Sequence, residues 1–433
     1  MNINSENTLD NDLERAECLI NKKLGIIYDL YPYTVSPNMP KVLYGYQATR
    51  RSIKDENNKQ WAHVLTPGTA YKQSPIKAKM AAIGECIERY CCTITEGHEI
   101  LESSFEQLTE PAVDPSSFTC FTDEQYAIPN FPYKPFQKDT EIKWVKGFSL
   151  TKQESSWVPA DLTFLPSPQR WNIRFQISNG LACGSSLWHA CYAALCELIE
   201  RDAFTIMWLM DIEFPRINHH SIPNKNTRNL ILELERYGIK ITINDLTVSS
   251  GIPVFTVIGE TEWKWPKFVI SAHAALDPIS ALNGALEEVF AIYNDLSLNE
   301  RAIYRKEDIK TFEDNFLYYA SGENKDEYQF LLEAPLKNFD NNLWIKDIPE
   351  SYESKTKMIV NILNREGCEV LCVDLTTEDV GQAGFHVIRA IIPQFQSLYH
   401  KYPMLECERM WNIAKLFHKR GKNPECKEFH AFP

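Results

Sequence analysis

LCELIERDA (Leu195–Ala203) repeats the Glu-x-x-Glu-Arg step that GECIERYCC (Gly84–Cys92) spells earlier in the chain. Glu85 and Glu88 stand three apart, as do Glu197 and Glu200, and Glu85 precedes Glu197 by 112 positions. On a helix that spacing puts both carboxylates on one face, about 60° apart, and the next arginine (Arg89 or Arg201) joins them at i+4. An exposed pair of this kind contributes only a few tenths of a kcal/mol. The neighbours are not those of an exposed face. Ala81, Ala82, Ile83, Cys86 and Ile87 surround the first step, and Ala193, Ala194, Leu195, Leu198, Ile199 and Phe204 surround the second. Buried carboxylates need partners. Two of them ~4 Å apart repel by about 4 kcal/mol at an effective dielectric of about 20, so two converging pairs call for cations. Oxygen-only ligation suits Mg²⁺, which keeps waters and bridges to phosphates. The repeated step therefore reads as a nucleotide–magnesium site made from two helices.

The surrounding text predicts an α+β fold of antiparallel or mixed sheets covered by long helices. Leu13, Ala16, Leu19 and Ile20 recur at helical spacing over residues 9–24, and the Pro-rich extended stretch YPYTVSPNMP follows. Ser74 then Pro75 opens a helix reaching towards Thr95. Residues 110–170 hold many prolines and short strand-like pieces such as EIKWVKGFSL. SNGLACGSS is a turn-rich loop before a second long helix, LWHACYAALCELIERDAFTIMWL. Helices and strands then alternate: TRNLILELERYG, IKITINDL, PVFTVIG, KFVISAHAAL, PISALNGALEEVFAIYNDL, TKMIVNILNREG, EVLCVDLT and FHVIRAIIP. No boundary between domains stands out, and loops within one fold account for the Pro-rich middle.

Composition narrows the function classes. The 433 residues are 44% hydrophobic and 24% charged, as in a globular protein with a large core. A net charge of −13 without a Lys/Arg-rich run argues against nucleic acid as a partner. No segment approaches ~18 uninterrupted apolar residues, and the polar, acidic N-terminus lacks the features of a signal peptide, so no membrane association is expected. The twelve cysteines are scattered, with no Cys-x-x-Cys, and read as reduced thiols of a cytoplasmic protein.

SNGLACGSSLWHACYAALCELIERDAF (Ser178–Phe204) resembles the second ATP motif of the YcaO family, ATP-dependent enzymes that activate peptide-backbone amides, and KAKMAAIGECIERY (Lys77–Tyr90) resembles its first. GIPVFTVIG and ISAHAALDPISALNGALEEVF match the family's strand, Asp-Pro turn (Asp277, Pro278) and Ala-Leu-x-Glu helix (Ala285 to Glu288). VDLTTEDVGQAGFHVIRAIIP and the terminal HAFP are similar to the C-terminal blocks of its thiazole/oxazole-forming branch. The resemblance runs from about Thr66 to Pro433, and no P-loop string occurs. It departs from the family at Ala81 (often Ser), His189 (acidic), Ala291 (Gln) and Ala431 (Pro).

The resemblance implies a YcaO-type fold with an ATP site between helices. It implies residues 1–65 as a helix and Pro-rich extension, 66–400 as the catalytic domain, and 401–433 as a tail returning towards the active site. Glu85, Glu88, Glu197 and Glu200 would hold Mg²⁺ and ATP. Lys72, Ser185, Arg201, Glu288 and Arg389 would add nucleotide contacts, Arg389 through its planar fork. The implied reaction is attack of a precursor-peptide Cys, Ser or Thr on the preceding amide, phosphorylation of the amide oxygen by ATP, and loss of phosphate to give a thiazoline or oxazoline. The Pro433 carboxylate would be the base. His430 is either an alternative base or a surface tail histidine without a role. Residues ahead of Thr66 are too few for a leader-binding domain, so a separate leader-peptide-binding (E1-like/ocin-ThiF-type) protein is expected. An FMN dehydrogenase and a homodimer are further partners the resemblance allows. The alternatives are a thioamide-forming enzyme of the same fold and a non-catalytic scaffold that binds the precursor.

Overall fold

The structure, a computed structural model, describes residues 3–50, 67–168, 172–249, 251–417 and 427–433, with side chains from residue 9 onward. The expected boundary at 65/66 lies outside the described residues. The helices are α1 (Ile3–Ala16), α2 (Pro75–Cys91), α3 (Asp123–Tyr126), α4 (Leu187–Met210), α5 (Lys225–Arg236) and α6 (Pro278–Leu298). They continue with α7 (Phe312–Ala320), α8 (Gln329–Glu333), α9 (Tyr352–Arg365), α10 (Glu378–Gln382) and α11 (Glu408–Leu416). The strands are β1 (Ile27–Pro32), β2 (Tyr44–Arg50), β3 (Gly68–Lys72), β4 (Ile100–Ser103), β5 (Ile142–Ser149), β6 (Glu154–Pro159) and β7 (Leu181–Gly184). Then come β8 (Arg216–Ile217), β9 (Lys240–Asp245), β10 (Val254–Glu260), β11 (Phe268–Ala274), β12 (Leu336–Lys337), β13 (Leu371–Asp374) and β14 (His386–Ile391).

The chain forms two compact units threaded through one another in sequence. The first holds Met1–Tyr33, Tyr44–Leu198 and Pro349–Gln394; the second holds Thr34–Leu43, Ile199–Ile348 and Phe395–Pro433. One of these divisions falls inside α4.

In the first unit, β1, β2 and β3 form an antiparallel sheet against which α2 packs. A second antiparallel sheet runs β4-β5-β13-β14-β7, with β6 on the other side of β5. One core joins both sheets to α2 through Ile27, Ala48, Ala82, Ile83, Cys86, Ile87, Trp144, Val158 and Val387. The glutamates of α2 interrupt that apolar text at the positions left over.

In the second unit the sheet order is β11-β10-β9-β8-β12, antiparallel except for β8 with β12. α6 packs on β10 and β11, and α5 packs on β9 and α6. Asp277 caps α6 by accepting the Ser280 N–H at 2.7 Å, with Pro278 in the first turn, as the Asp-Pro turn predicts.

Two readings shift. The first helix starts at Ile3 rather than at residue 9 and ends at Ala16, followed by a single 3₁₀ turn. Ile20 is extended, and Asn21 Oδ1 accepts the N–H groups of Lys23 and Leu24, a local turn that competes with further helix. The sheet strands β2 and β3, unread in the sequence, flank the expected α2.

Candidate active site

The first unit gathers three of the four repeated glutamates. Each hangs from a backbone N–H supplied by a different segment. Glu85 Oε2 accepts from Thr69 of β3 at 3.0 Å, Glu88 Oε1 from Cys183 of β7 at 2.8 Å, and Glu197 Oε2 from Gly180 at 2.9 Å. Gly180 sits at φ +77°, and a Cβ there would come 2.5 Å from the Ala390 carbonyl oxygen, so only glycine delivers that N–H. Burial pushes the Glu88 carboxyl up to about 8. Arg89 and the Cys183 N–H pull it back, while the charges of Glu197 and Glu85 raise it further. Burial also raises Glu85, against the pull of Arg89 and the Thr69 N–H. Arg89 lies 3.7 Å from Glu85 Oε1, and although burial opposes its charge, Glu85, Glu88 and Glu197 outweigh that and hold it more basic than usual. Charging all three glutamates together costs more than Arg89 offsets, and Glu88 answers by holding its proton to about pH 8.

Arg389, on β14, is buried beside this centre. Its Nε donates to the Leu162 carbonyl at 2.9 Å and its Nη2 to the Ile177 carbonyl at 2.7 Å, and Nη1 is buried with no hydrogen-bond partner. Burial lowers it to about 10, with Cys92 and Glu197 pulling the other way. Lys72 ends β3 opposite Tyr44, half-buried. Ser185 precedes α4, where His189 takes the place of the expected acidic residue. His189 Nδ1 accepts the Ser185 N–H at 3.3 Å while Ser186 Oγ accepts the His189 N–H at 3.2 Å. A neutral imidazole thus does the capping work of a carboxylate. It stacks on Tyr352 at 4.1 Å, and burial lowers its basicity.

Glu200 follows Glu197 by one helical turn on α4 and belongs to the second unit. It is almost fully enclosed, with Arg201 Nε 3.4 Å from Oε1 and His273 Nδ1 3.4 Å from Oε2. His273 is a neighbour of this candidate site residue that sequence reading missed. Its signal was a lone histidine in the apolar strand VISAHAAL, followed by the glycine of LNGALEE. A Cβ at Gly284 would sit 2.2 Å from His273 Cδ2, so that glycine leaves room for the ring. Glu288 is half-buried on α6.

The tail comes back to α4: Phe432 lies on Phe204, ring centroids 4.5 Å apart, and under the Arg201 guanidinium at 4.2 Å. Pro433 is half-buried. His430, expected at the surface if it had no role, is fully enclosed by Phe204, Phe312 and Tyr399. Burial, then the Arg201 charge, lower it to about 3, which makes it a poor base.

The residues fit a hard cation carried by a phosphate group. The donors are carboxyl oxygens, one of them (Glu88) holding a proton that a bound cation would displace, and Arg389 offers an orphaned N–H. Among the described residues no three His, Cys, Asp or Glu side chains are gathered so as to hold a metal by themselves. Among the described residues no helix is long and apolar enough to cross a membrane, and no described cysteine is in a disulfide.

A family model described as YcaO cyclodehydratase, ATP- and Mg²⁺-binding, matches residues 70–396. An uncharacterized protein of Methanothermobacter thermautotrophicus is 29% identical over 155 residues, 35% of this chain and 40% of that one. An uncharacterized protein in the tfuA 3′ region of Rhizobium leguminosarum bv. trifolii is 27% identical over 160 residues, 34% and 38% of the two chains. The match thus spans about two fifths of these curated relatives. Among solved structures, a heterocyclase in complex with substrate and cofactor aligns with a TM-score of 0.77 at 21% identity, covering 90% of this chain and 52% of that one. YcaO from Methanopyrus kandleri bound with AMPPCP and Mg²⁺ aligns at 0.63 and 21% identity, covering 90% of both chains. The E. coli microcin synthetase McbBCD complex with pro-MccB17 bound aligns at 0.64 and 16% identity, covering 96% and 99%. At these identities the structural likeness is one of fold, and the α+β architecture is the one the sequence predicted.

Proposed function

The chain belongs to the YcaO cyclodehydratase family, whose ligands are ATP and Mg²⁺, and from that premise we propose that it converts Cys, Ser or Thr of a ribosomal precursor peptide to thiazoline or oxazoline rings. The observation that carries this reading is the acidic centre of the first unit. Glu88 is held up to about 8 by burial and by Glu197 and Glu85, a charge arrangement that a cation would relieve.

In this reading Glu85, Glu88 and Glu197, with Glu200 one turn further along α4, offer oxygens to Mg²⁺. The Thr69, Cys183 and Gly180 N–H groups keep one oxygen of each of the first three turned to the backbone. Arg389 and Arg201 hold phosphate oxygens, and Lys72, Ser185 and Glu288 complete the nucleotide contacts. ATP supplies the phosphoryl group that turns an amide oxygen into a leaving group. The protein's part is to position that oxygen and to offset charge as it develops. The Pro433 carboxylate accepts the proton of the attacking thiol or hydroxyl. Residues 1–65, 66–400 and 401–433 remain the proposed extension, catalytic domain and tail. A separate leader-binding protein delivers the peptide, with an FMN dehydrogenase and a homodimer as further proposed partners.

Co-expression with a leader-binding partner and a Cys/Ser/Thr-containing precursor peptide, followed by mass spectrometry and an ADP assay of the purified proteins, tests the proposal. Loss of 18 Da per modified residue is the expected result. A gain of 16 Da would replace azoline by thioamide formation, and unmodified peptide with no ADP formed would leave a precursor-binding scaffold.

A further inference from the structure

The Arg201 guanidinium lies between two groups of opposite character. Glu200 Oε1 is 3.4 Å from its Nε, and the Phe432 ring centroid is 4.2 Å from its central carbon. Only 15% of the Arg201 side chain and 4% of the Glu200 side chain are exposed, and Phe432 is fully buried. An arginine over an aromatic face is attracted by the ring's quadrupole, more strongly where water is excluded.

Phe432 is one of several anchors of the tail. Upstream, Lys427 Nζ is 2.9 Å from Asp211 Oδ1 and donates to the Glu327 carbonyl at 3.0 Å. Tyr399 Oη donates to the Lys427 carbonyl at 2.7 Å, and Trp208 Nε1 donates to the Phe429 carbonyl at 3.0 Å. His430 Nε2 accepts the Tyr399 N–H at 3.4 Å. With the backbone also held by these contacts, the ring at 432 can serve Arg201 as well as its packing on Phe204. A leucine there would keep an apolar side chain beside Phe204, at some loss of packing, and would give Arg201 no aromatic face.

We propose that Phe432 is a positioning residue, whose ring holds Arg201 against Glu200 and so ties the end of the tail to the geometry of the second Glu-x-x-Glu-Arg step. This rests on the reading of Glu200 and Arg201 as nucleotide-site residues. The tail then acts on nucleotide binding as well as on the peptide, through a contact that an aliphatic side chain does not replace.

Calorimetric titration of the full chain with AMPPCP and Mg²⁺ tests it. Phe432→Leu is expected to weaken binding about 3- to 10-fold, while Phe432→Tyr stays within about 2-fold of the parent. In an Arg201→Met background the Phe432→Leu change is expected to add nothing, because the group it acts through is gone. Equal affinity of parent and Phe432→Leu would overturn the inference, as would the same loss with and without Arg201, which marks a merely structural role. Should the leucine variant fail to fold, Phe432→Met takes its place in the same cycle. A parent chain that does not bind AMPPCP with Mg²⁺ at all would overturn the nucleotide-site reading, and this inference with it.

Discussion

Glu88 Oε1 accepts the Cys183 N–H at 2.8 Å, tying a helix carboxylate to a strand 95 positions later in the chain. The same pattern holds Glu85 to Thr69 and Glu197 to Gly180. Each carboxylate spends one oxygen on the backbone, which orients it without neutralising it. That leaves the centre costly to the fold and ready for a cation, and the predictions below follow from this.

Glu88→Gln should stabilise the protein at alkaline pH. With its carboxyl raised to about 8, the folded chain keeps a proton that the unfolded chain releases near its ordinary value of about 4.3. Between those values the folded state binds more protons, so stability falls as pH rises. Glutamine retains the acceptor for the Cys183 N–H and removes the titration. Urea midpoints should show the variant ahead at pH 8 by more than at pH 5; a constant difference at both would show that Glu88 does not titrate there.

Glu197→Gln combined with Glu200→Gln should lower ATP turnover, measured as ADP formed with peptide and partner present, by at least about 100-fold. Far-ultraviolet circular dichroism should be unchanged, because both amides keep the hydrogen-bonding shape of the acids. Turnover equal to the parent's would remove both residues from the nucleotide site.

His430 should make the protein acid-sensitive. It titrates at about 3 when folded, held down by burial and by Arg201, and near 6.5 when unfolded. From about pH 6.5 down to about 3 the unfolded chain binds the extra proton, so stability falls as pH falls. His430→Gln keeps an acceptor for the Tyr399 N–H and should flatten the decline of the urea midpoint between pH 6.5 and 5. An identical slope would show that His430 carries none of it.

Adding one glycine after Pro433 is expected to suppress ring formation, read as the missing loss of 18 Da, with little change in thermal midpoint. The extension displaces the carboxylate and leaves Phe432 in place. Deleting Phe432 with Pro433 would be a poorer test, since emptying a fully buried phenylalanine site costs about 3 kcal/mol or more by itself. Unimpaired ring formation in the extended chain would remove the carboxylate from the reaction.

Much of this site was legible because its parts are local. The Glu-x-x-Glu-Arg spacing, the apolar neighbours and the Ser74-Pro75 and Asp277-Pro278 starts all lie within one or two helical turns. What escaped is long-range. Neither Thr69 nor Cys183 carries a mark that its N–H serves a glutamate. His273 looks like an ordinary strand residue until Gly284 is placed beneath its ring. The two interleaved units leave no compositional seam because each is assembled from segments that the other interrupts. β2 and β3 carry glycine and polar residues in place of a clean apolar alternation, and α2 packs on both.

The most direct measurement is a calorimetric titration of the full chain with AMPPCP, with and without Mg²⁺, on the parent and on Glu88→Gln. The account predicts binding that requires Mg²⁺ and weakens at least about tenfold in the variant, ~1.4 kcal/mol. Binding of equal strength without the metal, or undiminished by the substitution, would contradict it.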